Sequence, residues 1–127
     1  MAQHGHIVWN ELNTRDPQAA MRFYGASVGW TFEMRPMAEG APYWLAKAGE
    51  VVVAGLFTMV GSQFFGVPEH WFAYLEVDDI DGRVAGVAAA GGTVMRKPWT
   101  VADVGRIAIV RAPGGGVMGW MTSARPA

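Results

Sequence analysis

Two stretches of this chain carry the same alternation of apolar and polar positions. Trp9 to Trp30, WNELNTRDPQAAMRFYGASVGW, and Phe72 to Thr93, FAYLEVDDIDGRVAGVAAAGGT, align without a gap, with Asp16 matching Asp79, Leu12 matching Leu75, Ala26 matching Ala89 and Gly29 matching Gly92. Each begins as an extended apolar run, reaches an aspartate, and continues with apolar residues at helical spacing until a glycine stops it. The pattern predicts strand, capped helix, strand, and its recurrence over half the chain predicts an internal duplication. Asp16 and Asp79 take the helix caps, with Pro17 in the first turn, where its missing N–H costs nothing. One face of the first helix is expected to hold Ala20, Phe23, Tyr24, Ser27 and Val28, and one face of the second Ile80, Val84, Val87 and Ala88. Gly29 and Gly91 supply the left-handed residues that end them.

In chain order the pattern predicts a strand over Ile7 to Thr14, a helix over Pro17 to Val28, and a strand over Trp30 to Arg35. After a loop from Pro36 to Pro42, a hairpin joins Tyr43–Ala48 to Val51–Met59 across Gly49 and Glu50. Residues 60–69, VGSQFFGVPE, read as a linker whose Phe64 and Phe65 either cover a core edge, close over a ligand, or meet a second copy. A strand over His70 to Val77, a helix over Ile80 to Ala90, a strand over Thr93 to Lys97, and a hairpin of Asp103–Arg111 with Val117–Thr122 around APGGG complete the plan. Two βαβββ modules result, about 6–59 and 70–122, with Arg125 to Ala127 as a frayed tail.

Composition narrows this. The 127 residues suffice for one domain, and 51% hydrophobic against 17% charged residues suits a globular chain that hides surface in a dimer. A net charge of −1 gives no basic face for nucleic acid, and the absence of cysteine excludes disulfides, thiolate metal sites and cysteine nucleophiles. No apolar run reaches the length of a membrane span, and MAQHGHIVWNEL does not read as a secretory leader, so a cytoplasmic location is expected. Six tryptophans point to an aromatic-lined pocket or interface.

Two βαβββ units, the FYG and GW at the end of the first helix (Phe23 to Gly25, Gly29, Trp30), the EVDDID before the second, the PGG turn before the last strand and the W-x-E-L-x-T-x-D opening resemble the vicinal oxygen chelate superfamily. That superfamily includes glyoxalase I, extradiol dioxygenases and the bleomycin and fosfomycin resistance proteins. The resemblance covers nearly the whole chain and implies an α+β fold in which each module curls four strands into half a barrel around a central cleft, with helices outside. Its metal-dependent members take ligands from the first and last strand of each module. Those positions map to Trp9, Phe72, Gly55 (or Leu56) and Gly119, none of which offers the nitrogen or carboxylate oxygen a divalent ion needs. No metal and no cofactor are therefore expected, and the metal-dependent chemistries do not transfer.

Strand alternation puts Trp9, Glu11 and Asn13 on one face and His70, Phe72, Tyr74 and Glu76 on the corresponding face of the second module. Trp71, Ala73, Leu75 and Val77 are expected to pack on the helix. The ligand-contacting set is then Trp9, Glu11, Phe72 and Tyr74, with Gly55 and Gly119 leaving room opposite the rings. Trp9 and Phe72 read equally as core. Glu11, costly to bury without a partner, reads as a ligand or catalytic carboxylate, or as an ion pair with an arginine such as Arg106. His70 is either a structural histidine or a second candidate base. His4 and His6 lack a spaced third ligand and read as a flexible surface pair; Gly114 to Gly116 lie between strands and read as a turn, not a phosphate loop. The favoured function is a homodimeric, metal-free protein of the glyoxalase and bleomycin-resistance type that binds a small, partly aromatic molecule. The alternatives are a lyase or isomerase with Glu11 or His70 as base, and a metal-dependent lyase or dioxygenase if the strand register differs.

Overall fold

The computed structural model describes residues 3–37 and 40–124. The expected tail at 125–127, and residues 38 and 39 of the expected loop, lie outside them. Among the described residues the chain runs β1 (Ile7–Thr14), α1 (Pro17–Val28), β2 (Thr31–Arg35), β3 (Tyr43–Ala48), β4 (Val51–Thr58), a 3-10 turn (Ser62–Phe64), β5 (His70–Glu76), α2 (Ile80–Ala85), β6 (Thr93–Val101), β7 (Gly105–Arg111) and β8 (Val117–Ser123). This is βαβββ twice over, in the α+β class. Two compact units divide it: Trp9–Phe72, and Met1–Val8 together with Ala73–Ala127.

In the first unit the strand order is β2-β3-β4-β1, with β1 parallel to β4 and the other pairs antiparallel. Asp16 accepts from the Ala19 amide at 3.0 Å and Pro17 follows it, while Gly29 at φ 79° closes the helix onto the Tyr24 carbonyl. Leu12, Ala20, Ala46, Ala54 and Leu56 form the core, with Met21, Tyr24, Trp30, Phe32 and Trp44 against it. The helix face differs from expectation. Phe23 is 63% exposed and Val28 is exposed as well. Ala20, Met21 and Tyr24 face the sheet instead, and Phe23, one position round the helix from Tyr24, meets only the edge of that ring at 4.9 Å. Trp71, expected on the helix of the second module, packs on α1 instead, its indole donating to the Tyr24 hydroxyl at 3.2 Å beside Trp30.

In the second unit the order is β5-β8-β7-β6, with β5 parallel to β8. Val77, Ile80, Val84 and Ala108 form its core, with Leu75, Val94 and Trp120 against them. Helix α2 stops at Ala85, short of the expected Ala90. Gly82 and Gly86 are weak helix formers, and Ala88 to Ala90 are exposed with little to bury, so the segment continues as turns to Gly91 at φ 93°. Val87 stays buried, as expected. Conversely β6 runs on past Lys97 to Val101. It is the last strand in its unit's order and its register shifts around Arg96, which accommodates Pro98. The APGGG segment is a hairpin turn: the Ala112 amide donates to the Gly116 carbonyl at 2.8 Å, between the paired Arg111 and Val117.

Arg106, one possible partner of Glu11, has a partner in its own unit. Its guanidinium forks onto Asp81 at 2.8 and 2.9 Å and reaches Thr100 at 3.2 Å. That hydrogen bond holds the Asp81 carboxyl below its usual pKa, as Arg83 does for Asp78. A carboxylate whose pKa is depressed on folding stabilises the fold above its unfolded pKa, and the contribution is lost as pH falls through the folded value. The pair is exposed, so the effect is small. Asp81→Asn is therefore expected to reduce slightly the stability lost between neutral pH and about pH 3, measured by urea unfolding at both. Acid limbs that coincide for the two proteins remove the pair from the account.

Candidate functional site

Two short-range rules build the site. Alternation along β1 sends Leu12 into the core and Glu11 to the opposite face, and along β3 it sends Trp44 and Ala46 into the core and Tyr43 and Leu45 to that same opposite face. The parallel register sets Glu11 level with Gly55 on β4, and Leu45 stands level with Gly55 on its other side. From the start of β3, the Tyr43 ring lies over Gly55: a Cβ there would stand 1.8 Å from Oη and 2.3 Å from Cζ. Gly55 was expected to leave room opposite the aromatic rings. The room is taken by this chain's own phenol.

The Tyr43 hydroxyl donates to Glu11 Oε2 at 2.7 Å and accepts from Trp9 Nε1 at 2.9 Å. An indole N–H can only donate and an ionised carboxylate only accept, so the direction of the chain is fixed, from Trp9 through Tyr43 to Glu11. Each bond polarises the next. Asn13 Nδ2 lies 3.5 Å from Glu11 Oε1, at the outer limit of such contacts. Glu11 is only 8% exposed, and the phenol satisfies one of its oxygens where water is scarce. This arrangement can receive a polar group of a ligand, or hold a carboxylate ready to take a proton.

Trp9, Glu11 and Gly55 are thus brought together, and Tyr43 is the member that sequence reasoning missed. Its signal was present: a glycine inside a strand marks close approach by another group, and Tyr43 shares the face of Leu45, level with that glycine. His70 and Phe72 belong to the same unit. His70 Nδ1 lies 2.8 Å from the Pro68 carbonyl, to which it donates, leaving Nε2 as the nitrogen for any base role. Its ring meets Phe72 edge-on at 6.1 Å. In the second unit Tyr74 stands level with Gly119. Glu76, next on that face, is buried and accepts from the Ser123 amide at 2.9 Å and from the Ser123 hydroxyl. His4 is not loose: its Nδ1 accepts from the Asp78 amide at 3.0 Å and lies 3.3 Å from the Asp78 carboxylate.

The residues do not fit a metal. Trp9, Gly55, Phe72 and Gly119 supply no ligand atom, and among the described residues no three His, Asp or Glu side chains gather where an ion could bind. A surface concavity of about 510 Å³ lies elsewhere, lined by Arg15, Gly61, Ser62, Phe65, Gly66, Val67 and Pro68. Its one charged group, Arg15, is engaged by the backbone carbonyls of Val67, at 2.6 Å, and Phe64. Little in it is left to orient a ligand, so the Glu11 face is the stronger candidate. The two linker phenylalanines part company there: Phe64 packs edge-on against Phe57 at 5.9 Å, and Phe65 is 92% exposed. No helix among the described residues is long and apolar enough to cross a membrane.

Known proteins resemble the chain at several levels. It is 41% identical over 113 residues to "Putative glyoxylase CFP32" of Mycobacterium tuberculosis, covering 89% of this chain and 42% of that protein. It is 28% identical to "Anthracycline biosynthesis protein DnrV" of Streptomyces peucetius, covering 87% and 44%. The chain thus spans less than half the length of these curated relatives. In structure it matches hypothetical protein BH1468 from Bacillus halodurans with a TM-score of 0.73 at 14% identity, covering 98% and 99% of the two chains. It matches methylmalonyl-CoA epimerase from M. tuberculosis with a TM-score of 0.67 at 13% identity, covering 98% and 93%, a likeness of fold. The family model described as Glyoxalase/Bleomycin resistance protein/Dioxygenase superfamily matches residues 3–118, and the chain belongs to that superfamily.

Proposed function

We propose that this chain binds a small, partly aromatic molecule without a metal, on the face where Trp9, Glu11, Gly55 and Tyr43 meet. The observation that carries the reading is the buried Glu11 carboxylate held by the Tyr43 hydroxyl, itself capped by the Trp9 indole. An apolar ring beside a few fixed polar groups is the usual build of a small-molecule site. Phe72 and His70 are proposed as further ligand neighbours in the same unit, and Tyr74 and Gly119 as ligand-contacting residues of the second. The relative named for anthracycline biosynthesis leans towards a flat ligand. Structural neighbours include an epimerase solved with 2-nitronate-propionyl-CoA, which supports a small-molecule site. The same reading takes the protein as a cytoplasmic homodimer of duplicated modules, 6–59 and 70–122, joined through 60–69. Exposed apolar side chains such as Ile7 and Val51 support the dimer.

A second reading makes Glu11 a general base of a lyase or isomerase. What favours it is again burial, since a carboxylate largely out of water is a competent base for a proton beside a carbonyl. His70 Nε2 is the reserve for that role. Glu11→Gln separates the two. A panel of aromatic acids and acyl thioesters, followed by tryptophan fluorescence and by product analysis, is expected to show affinity reduced about tenfold, the worth of one charge-assisted hydrogen bond. Unchanged affinity with abolished turnover rejects the pure binding reading. Trp9→Ala that leaves every affinity untouched rejects the site itself.

A further inference from the structure

We infer that Tyr43 is an internal occupant of a hydroxyl-selective slot formed by Trp9 Nε1, the Glu11 carboxylate and the bare backbone of Gly55, and that the ligand is a phenol whose hydroxyl takes its place. This rests on the binding reading above and names its ligand class.

The slot's chemistry is set by its two ends. On one side stands an indole N–H, a donor that cannot accept; on the other, a carboxylate that accepts. One oxygen lies 2.9 Å from the first and 2.7 Å from the second. Whatever sits there must accept and donate through the same small atom. A hydroxyl does both. A ketone cannot donate to Glu11, an ammonium cannot accept from Trp9, and a carboxylate repels its counterpart. The shape is set by Gly55: the edge of an aromatic ring fills the place of the missing Cβ, with Cε2 only 2.6 Å from where that atom would stand. The space is therefore cut for a flat ring with a hydroxyl at its tip.

The present occupant is placed where it can leave. Tyr43 is the first residue of β3, directly after Pro42, and its pair with Arg35 is the last of the β2–β3 ladder. Rotation about its own side-chain bonds empties the slot without breaking a strand pair between Trp44 and Ala48. A tethered occupant competes at high effective concentration, so a free phenol binds the unmodified chain more weakly than a chain lacking the Tyr43 ring.

The test uses 4-methylphenol, the tyrosine side chain as a free molecule, and toluene, the same molecule without the hydroxyl. The reporter is the Trp9 indole N–H resonance, assigned by its loss in Trp9→Phe. In the unmodified chain 4-methylphenol is expected to shift that resonance and toluene to leave it. In Tyr43→Ala the affinity for 4-methylphenol is expected to rise about tenfold, with a similar preference over toluene. Equal binding of the two probes overturns the proposal, as does a Trp9 resonance that 4-methylphenol never moves in the unmodified chain, a result that stands even if Tyr43→Ala does not fold. If a ligand from the wider panel moves Trp9 and 4-methylphenol fails to compete with it, the phenol assignment falls and the broader binding reading stands. If Trp9→Ala leaves all panel affinities unchanged, both fall.

Discussion

Truncating Leu12 to alanine is expected to lower the unfolding free energy by about 3 kcal/mol, within the range for burial lost plus cavity left behind. Leu12 is 1% exposed and stands level with Leu56, which is fully buried. The other buried members of its cluster are Ala20, Ala46 and Ala54. Alanines have no rotamers with which to fill a hole, so the cavity stays open and the cost lies above the transfer free energy alone. Against a typical total of about 5–15 kcal/mol this is a large share, and the melting temperature should fall by roughly 10 °C. Urea unfolding monitored by tryptophan fluorescence measures it, with an unchanged denaturant slope as the control. A loss below about 1 kcal/mol contradicts the placement of Leu12 in a rigid core.

Gly55→Ala strikes the site rather than the core. The new methyl would fall on the Tyr43 ring, which supplies the three atoms nearest to it. The ring therefore swings away, and the cost comes from broken bonds more than from strain. Tyr43 loses both Glu11 and Trp9, and a buried carboxylate loses a donor, together worth about 2 kcal/mol. Ligand affinity at the Trp9 face is expected to fall at least about tenfold. Near-ultraviolet circular dichroism and Trp9 emission report the departure of the phenol. Stability and both spectra unchanged from the parent would show that Tyr43 does not rest on Gly55.

The contrast between these two positions shows what the sequence made legible. Trp9, Glu11 and Asn13 could be put on one face because alternation along one strand needs no knowledge of its neighbours, and the Asp16 cap, Pro17 and Gly29 are equally local signals. Two βαβββ modules followed from the repeat for the same reason. Tyr43 was missed because its role depends on which residue of β1 stands level with Gly55, and that register is decided by packing across a long separation in the chain. Arg106 could be offered as one possible partner of Glu11 only on charge, and it is Asp81 that holds it. Phe23 and α2 were misjudged because helical spacing says which residues share a face but not how wide a sheet waits to cover them.

The corner after β1 is also expected to slow this chain on the way to its structure. Arg15 grips the carbonyls of Phe64 and Val67, and Thr14 bonds to Glu69, contacts that span 49 to 55 residues. Contacts of such reach form only after a long loop has closed, and parallel pairing of β1 with β4 carries the same entropic delay. Segment 61–69 should therefore be among the last to order on refolding and the first to exchange its amide hydrogens in the native state. The exposed Phe65 would spend that interval tethered to a segment not yet docked, so refolding at high protein concentration is expected to go astray at this stretch.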